Sequence, residues 1–380
     1  MTESKNITKG TETPQSSTKP RQSNIELLRI FAACGVIILH YNNAGIGGGF
    51  GAVADESMNQ FILMTLEMMA ICAVNLYVLI SGYFMCDSYK RDLLKPIKLL
   101  VQLGIIELTF CLIKELPKGQ GISFDTIFKY MTPSYWFIFV YISLYMISPY
   151  INLSWNKLTM KEKKTLLIVL ISLFAVYPIL LDIIGLRRNI AMNGLNTIGL
   201  WGSEQGYTIV IFVLMYLLGC YIRDKEEDGI VVSTEKIFLF LLIDTILLVM
   251  WAYFERLFVN VPITSTVAIN YENPLVISEA VLYFLLFRNI KIKDGKIINK
   301  LALASFPTYL IHINLLEYCK ITEFVKKNPG ILFIHILVCT VIIYVISFII
   351  TCIYDLITKP LFKIVSERWK KCRIYSVSNL

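Results

Sequence analysis

Apolar runs of membrane-spanning length recur along almost the whole chain. A helix needs about 20 mostly apolar residues to cross the hydrocarbon core of a bilayer. Of the 380 residues, 56% are hydrophobic and only 17% are charged, whereas a soluble domain carries about 25% charged residues. The sequence therefore predicts an all-α, polytopic integral membrane bundle of about ten transmembrane helices. We place the spans at residues 25–42, 61–85, 95–113, 135–151, 165–184, 206–222, 236–255, 273–288, 301–318 and 331–355.

The distribution of lysine and arginine predicts the side on which each loop lies. An even number of spans puts both termini on one side, and basic residues collect in cytoplasmic loops. The loops after spans two, four, six and eight are rich in them, whereas residues 43–60 contain none. Lys114, Lys118, Lys326 and Lys327 on the other side weaken this contrast without reversing it. We therefore predict cytoplasmic termini and a multi-pass protein of the plasma membrane, whose net charge of +8 requires no nucleic-acid partner.

Composition divides the chain into two tails and one membrane domain. Residues 1–24 are rich in Ser, Thr, Lys and Gln and too polar to form a core, so we expect a disordered cytoplasmic tail. Residues 25–358 form the predicted transmembrane domain, and residues 359–380 a basic cytoplasmic tail. Most of the nine cysteines fall inside spans and no CxxC pair occurs. Neither a disulfide framework nor a metal site is therefore expected.

The first span carries two ionisable residues in an otherwise apolar run, Arg29 and His40. Eleven positions on an α-helix make about three turns, so the two side chains share one face roughly 16 Å apart. Such residues inside a span are costly, and by default they face the bundle interior and have a function. The alternative is that Arg29 reaches the inner headgroups and pairs with Glu26, while His40 is an interfacial residue.

Four segments, in order, resemble the acyltransferase type 3 family of membrane acyltransferases. Arg29, ten intervening residues and His40, entered through "NIELLRIFA", resemble its first-helix signature. "VNLYVLISGYF" at 74–84 resembles the second-helix Ser-Gly motif, although Tyr77 and Val78 replace the aromatic pair common before it. "YWFIFVYISLYMISPYIN" at 135–152 and "ASFPTYLIHINLL" at 304–316 resemble the fourth-helix region and a late-helix motif. The resemblance extends over nearly all of residues 22–365.

This resemblance implies an activity and a pair of catalytic residues. The family transfers an acyl group, most often acetyl, from cytoplasmic acyl-CoA to a hydroxyl of an extracytoplasmic glycan or lipid-linked sugar. The expected chemistry is thus O-acetylation of a cell-envelope polysaccharide with acetyl-CoA, or another acyl-CoA, as donor and no metal. His40 is the expected essential histidine and Arg29 its associated arginine. Many members carry a further extracytoplasmic domain, whereas we expect none in this sequence. Transfer is therefore expected to finish in the membrane domain or to pass to a separate extracytoplasmic transfer protein.

Further charged and polar residues are candidates for the same site. Together with Arg29, Lys90 and Arg91 could bind the phosphates of the donor, because an arginine fork suits phosphate. Positive-inside topology alone also explains Lys90 and Arg91. His40 could act as general base, since histidine titrates near neutral pH. Supporting polar contacts are expected from Glu67, Asn75, Glu107, Glu279 and His312. Each of these residues could instead make a polar contact that packs helices together, and for His312 we favour this structural role.

The Ser-Gly motif and the aromatic residues each allow two interpretations. We expect Ser81 and Gly82 to permit close helix approach, because no base near Ser81 is identified that would make it a nucleophile. Tyr135, Trp136 and Trp201 are typical of an interfacial aromatic belt, but an aromatic platform for a sugar ring would use the same residues.

A different class of function also accommodates buried charges in a membrane bundle. A transporter or flippase for a glycan or small anion would line its path with such residues. Transporters often show paired repeats with broken helices near the midplane of the membrane. The sequence shows no such paired pattern, which favours the enzyme.

Overall fold

The computed structural model describes residues 21–119, 123–131, 135–188, 204–229, 232–369 and 374–377. This part of the chain is all-α except for one pair of antiparallel three-residue strands, β1 (Lys90–Asp92) and β2 (Ile374–Ser376). The helices are α1 (Ser23–Asn42), α2 (Gly49–Ala52), α3 (Met58–Ala70), α4 (Ala73–Met85), α5 (Leu94–Glu115), α6 (Phe124–Met131), α7 (Trp136–Trp155), α8 (Met160–Ile171), α9 (Tyr177–Arg188), α10 (Ile209–Glu227), α11 (Thr234–Phe254), α12 (Pro274–Asn289), α13 (Lys296–Leu301), α14 (Ser305–Leu316), α15 (Ile321–Phe324) and α16 (Pro329–Arg368).

Seven helical segments in the described part are long and apolar enough to cross a membrane. They are Ser23–Asn42, Met58–Met85, Leu94–Lys118, Trp136–Trp155, Met160–Gly185, Thr234–Val259 and Pro329–Arg368. Large apolar side chains on these helices face outward, among them Phe238 on α11 and Val341 on α16, as lipid contact requires. The protein is therefore a multi-pass membrane protein.

The predicted count of ten spans is not confirmed, and the differences have physical causes. The spans predicted at 206–222, 273–288 and 301–318 correspond to α10, α12 and α14. Helix α12 has 16 residues, which is about 24 Å and shorter than a bilayer core of about 30 Å. Helix α14 has 12 residues and follows a 3₁₀ turn, and α10 ends in a run of charged residues. The side on which the termini lie stays a prediction.

Three predicted boundaries can be compared with the helix ends in the structure. The predicted span 61–85 consists of α3 and α4, which are separated at Ile71 and Cys72. Helix α16 continues without a break through residue 358, the predicted end of the membrane domain, as far as Arg368. Of the predicted tail 1–24, residues 1–20 lie outside the described part, and α1 begins at Ser23. The division into domains therefore remains a prediction.

Helix α1 lies at the centre of the bundle, in contact with α3, α4, α12, α14 and α16. Small residues allow this packing: Gly35 lies so close to α3 and α4 that a side chain added there would contact Ala70 and Ala73. The central position of α1 places its polar residues in the interior. We call the end of the bundle that carries Arg29 the inner end and the end that carries His40 the outer end, following the predicted topology.

Helices α4 and α10 pack with their backbones in close approach. A Cβ atom added at Gly82 would overlap the backbone of Tyr216, and one added at Gly219 would overlap the backbone carbonyl of Leu79. The neighbouring Ser81 donates its hydroxyl hydrogen bond within α4, to the Tyr77 carbonyl at 2.8 Å. Gly82 thus has the packing role expected from the Ser-Gly motif.

Candidate active site

Arg29 forms an ion pair and also faces a cavity. Its Nη1 donates to Glu26 Oε1 at 2.8 Å, one turn earlier on α1. The side chain of Glu26 is 8% exposed and that of Arg29 is 34% exposed. The pairing predicted as the alternative explanation is therefore present, and it leaves part of the guanidinium accessible.

A cavity of about 320 Å³ runs along α1 from Arg29 as far as Val36; we call it the central cavity. Arg21, Glu26 and Arg29 line it at the inner end of α1. Val36, four residues before His40 in sequence, lines it farther along the helix. Its walls between these ends are mostly apolar and aromatic, with hydroxyl groups from Tyr77, Ser81, Tyr141, Ser305 and Tyr309. The cavity is thus polar and basic at one end and approaches the histidine at the other.

His40 packs directly against His312, which lies 272 positions later on α14. The ring centroids are 4.6 Å apart with an interplanar angle of 66°. The Nδ1 atom of His40 lies 2.9 Å from the Val36 carbonyl oxygen, and that of His312 lies 3.0 Å from the Thr308 carbonyl oxygen. A carbonyl oxygen only accepts hydrogen bonds, so Nδ1 is the protonated nitrogen in both neutral rings and Nε2 carries the lone pair.

The lone pair on His312 Nε2 lacks a donor in the described part of the chain. His312 is 0% exposed, and its Nε2 has no hydrogen-bond partner among the described residues. Leaving such a buried acceptor unsatisfied costs about 1–3 kcal/mol. The arrangement therefore points to a donor group on a bound molecule, and it moves His312 from the structural role favoured by the sequence into the candidate site.

A backbone carbonyl, and not the carboxylate of Glu67, holds Nδ1 of His40. Glu67 is buried and accepts a hydrogen bond from Asn42 Nδ2 at 2.8 Å, and Asn42 also donates to the Leu63 carbonyl. Because the Val36 carbonyl occupies Nδ1 of His40, the ring is oriented by its own helix. Glu67 instead fixes the end of α1, two residues beyond His40, against α3.

The other predicted supporting residues hold helices together. Asn75 donates to the Tyr271 carbonyl at 2.9 Å, and Glu279 accepts from Thr245 Oγ1 at 3.0 Å. Glu107 accepts from the Tyr135 hydroxyl at 2.7 Å, and this hydroxyl also lies 2.9 Å from the Leu310 carbonyl of α14. The structure brings none of these three into the lining of the central cavity.

Lys90 and Arg91 lie on β1, away from the central cavity. Arg91 is only 2% exposed, and it donates to Ser148 Oγ at 2.7 and 2.9 Å and to backbone carbonyls, including that of Tyr145. Its fork is therefore occupied by protein. The basic residues that line the cavity are Arg29 and Arg21. Arg21 was missed because it precedes the apolar run and reads as part of a polar tail.

An aromatic cluster lies next to the histidine pair in the bundle. Trp136 packs on Tyr207 with ring centroids 4.5 Å apart, and Tyr207 packs on Tyr271 at 4.9 Å. Tyr309 connects the cluster to the site, because its ring lies 6.1 Å from that of His312 and 5.5 Å from that of Phe137. Trp136 thus belongs to an interior cluster, and Trp201 lies outside the described residues.

Comparison with known proteins agrees with the geometry. The search of curated proteins and the search of solved structures gave no match. A family model for an acyltransferase domain, acyltransferase 3, matches residues 22–352, which is nearly the whole chain and includes both histidines of the site. The chain therefore belongs to the acyltransferase 3 family of membrane proteins.

Proposed function

We propose that this protein is an integral membrane O-acyltransferase. It moves an acyl group, with acetyl the first choice, from cytoplasmic acyl-CoA to a hydroxyl of an extracytoplasmic glycan or lipid-linked sugar at the plasma membrane. The observation that carries this proposal is the central cavity, which extends from a basic inner end to Val36, the residue whose carbonyl holds the ring of His40 beside His312. A thioester donor needs these two features at opposite ends of a narrow passage, since its phosphates and its reactive carbonyl lie at opposite ends of a long arm.

The cavity suits the donor in shape and in charge. Its mostly apolar wall, which includes Val36, Val74 and Phe137, can enclose a thin arm, and the hydroxyls of Tyr77 and Tyr309 can bind the amides along it. The guanidinium groups of Arg21 and Arg29 lie at the end where the phosphates would be, and arginine binds phosphate in a bidentate manner.

His40 supplies the proton transfers. Its Nε2 takes the proton of the acceptor hydroxyl while that oxygen forms a bond to the thioester carbonyl carbon. When the carbon–sulfur bond breaks, the imidazolium returns the proton to the departing thiolate, so the products are an ester and free coenzyme A. The Val36 carbonyl holds Nδ1–H in place during both steps and stabilises the imidazolium.

His312 has a separate role in this scheme. Its buried Nε2 lone pair accepts a hydrogen bond from the acceptor hydroxyl or from the protonated His40, and so holds the proton between the two rings. Replacing His312 by Gln is expected to lower kcat by about 10- to 100-fold, the equivalent of one charge-assisted hydrogen bond, and to flatten the pH profile of kcat. His335→Gln is the matched control, because His335 contacts Tyr41 and Phe324 and is not a member of the His40–His312 pair. Equal rates and pH profiles for the two variants would contradict this role.

Variants of the Arg29–Glu26 pair can distinguish an effect on donor binding from an effect on stability. Arg29→Ala is expected to raise the KM for acyl-CoA by about tenfold and also to lower the Tm, because it leaves the buried Glu26 carboxylate unpaired. In the double variant Arg29→Ala/Glu26→Gln the Tm should recover while the KM stays high. Steady-state kinetics and thermal unfolding in detergent give both values. A KM that recovers along with the Tm would show that Arg29 acts only on stability.

The proposed function is tested by following both substrates. Cells carrying the intact protein and cells lacking it are compared for alkali-labile acyl groups on their envelope glycan, by mass before and after mild alkali. Purified protein in vesicles is then given acyl-CoA and the glycan, and released coenzyme A thiol is measured. Ester formation together with thiol release is expected. Glycan or anion movement across the vesicle membrane without thiol release would instead indicate a transporter.

A separate extracytoplasmic transfer protein remains part of the proposal. If the glycan is too large to reach the histidine pair, a smaller carrier must accept the acyl group at His40 and deliver it outside. Vesicles that release thiol only when a soluble extracytoplasmic extract is added would indicate such a partner.

A further inference from the structure

A second cavity opens beside the central cavity at the inner end of the bundle. It has a volume of about 540 Å³ and lies between α5, α14 and α16; we call it the basic groove. Leu99, Leu303 and Phe306 line both the basic groove and the central cavity. The two spaces therefore share these apolar side chains as a wall, and a ligand that extends past them would occupy both.

The basic groove carries more positive than negative charge. Lys98, Lys359 and Lys363 line it, against the single carboxylate of Asp355. Lys359 Nζ is 2.8 Å from Asp355 Oδ2, and its side chain is 71% exposed. Lys98 Nζ lies 5.1 Å from the centre of the Phe362 ring, which also lines the groove. Pairing with Asp355 thus neutralises one lysine and leaves the charges of Lys98 and Lys363 for a ligand.

The groove also contains a buried polar atom and an aromatic face. The Tyr354 hydroxyl, on the groove wall, is buried and has no hydrogen-bond partner among the described residues. The Phe362 ring provides a flat apolar surface next to the lysines. A ligand with phosphate groups and a planar ring would satisfy the lysines, the hydroxyl and the ring together.

We propose that the basic groove binds the phosphorylated nucleotide end of acyl-CoA. This inference rests on the proposed function and identifies where the donor is held. The diphosphate and the ribose phosphate contact Lys98 and Lys363, and the arm passes Leu99 and Phe306 into the central cavity toward His40. At the inner end of the central cavity, Glu26 offsets the charge of Arg29 and Arg21 remains as the excess positive charge. The groove adds the charges of Lys98 and Lys363, which a ligand with several phosphates requires.

An anionic phospholipid headgroup shares the phosphate chemistry, but the geometry favours the donor. The apolar side of the groove is the wall of the central cavity, which is the arrangement that a single thin arm requires. A phospholipid carries two long chains and no planar ring, so it would leave the passage into the central cavity and the Phe362 face unused.

The test compares two donors that differ only in the end that the groove would bind. Acetyl-CoA carries the phosphorylated nucleotide, and S-acetyl-pantetheine lacks it. The variant is Lys98→Gln/Lys363→Gln, and the control is Lys161→Gln/Lys164→Gln, which removes two exposed lysines of α8 from the same predicted side. Each protein is reconstituted in phosphatidylcholine vesicles, which contain no anionic lipid. We expect the groove variant to raise the KM for acetyl-CoA about tenfold or more, with the KM for S-acetyl-pantetheine and both kcat values unchanged and the control unaffected.

Three results would overturn the inference. They are an unchanged KM for acetyl-CoA, an equal rise of KM for both donors, and an effect that arises only when anionic lipid is added, which would assign the groove to a headgroup. If the intact protein releases no thiol from either donor, the proposed function fails. Calorimetric measurement of coenzyme A binding then tests the groove independently of the transfer reaction. Weaker binding to the groove variant than to the control supports a nucleotide site in the groove, and equal binding overturns it.

Discussion

His40→Ala is expected to lower the rate of acyl transfer by roughly 10² to 10⁴, the usual contribution of a general base. The loss should appear in kcat at saturating acyl-CoA. His40 lies beyond Val36, at the end of the central cavity opposite to the one where the donor phosphates would bind, so its loss should leave donor binding unchanged. Released thiol from purified protein and alkali-labile acyl mass on the envelope glycan measure the effect. Membrane abundance must be matched, since His40 packs against His312 and its loss removes a buried contact.

His335→Ala provides the control for this substitution. Like His40, His335 lies in a predicted span and packs on aromatic rings, being stacked on Phe324 with centroids 3.7 Å apart. It should therefore reproduce any loss that comes from removing a packed imidazole. If His40→Ala keeps at least half of the rate of the control, then His40 is not the base, and the lone pair of His312 becomes the candidate.

The first helix could be interpreted from the sequence because its information is local. Arg29 and His40 are ionisable residues in one apolar run, and the period of the helix alone places them on one face. This face points inward because α1 is surrounded by other helices, among them α3, α4, α12, α14 and α16. The Arg29–Glu26 pair was also predictable, since the two residues are three positions apart.

The rest of the site depends on contacts between distant parts of the chain. His312 meets His40 only because α14 packs on α1, and no spacing within the sequence indicates this. Lys90 and Arg91 were sensible donor-binding candidates by charge, yet Arg91 is fully engaged by Ser148 and by carbonyl groups of its surroundings. Charge in a sequence shows that a partner is needed, and only the packing shows whether that partner is a ligand or the protein.

The predicted number of membrane spans is not confirmed for a different reason. Spans predicted from apolar length assume that each helix contacts lipid, whereas α12 and α14 pack against α1 in the interior. An interior helix can be shorter than the bilayer and can carry a buried carboxylate such as Glu279, because neighbouring helices supply its partners. Apolar length therefore does not distinguish a short interior helix, such as α12 or α14, from a helix that spans the bilayer.

Gly82→Ala is expected to destabilise the protein strongly, because the contact between α4 and α10 has no room for a methyl group. The added Cβ would overlap the backbone of Tyr216, and the opposing Gly219 leaves no space for α10 to accommodate it. Backbone atoms cannot move aside as a flexible side chain can, so the cost should reach or exceed the typical overpacking penalty of about 1–3 kcal/mol.

Thermal unfolding in detergent, together with the amount of protein recovered from membranes, measures this effect. Gly51→Ala is the matched control, because a Cβ added at Gly51 meets Ala44 only at ordinary contact distance, 3.6 Å. We expect a lowered Tm and reduced recovery for Gly82→Ala, with no change for Gly51→Ala. Helix α4 also carries Val74, Tyr77 and Ser81 of the central cavity, so surviving protein should show a raised KM for the donor. If Gly82→Ala unfolds at the same temperature as its control, the two helices are not held by backbone contact, and the Ser-Gly motif must be retained for a chemical role in the cavity.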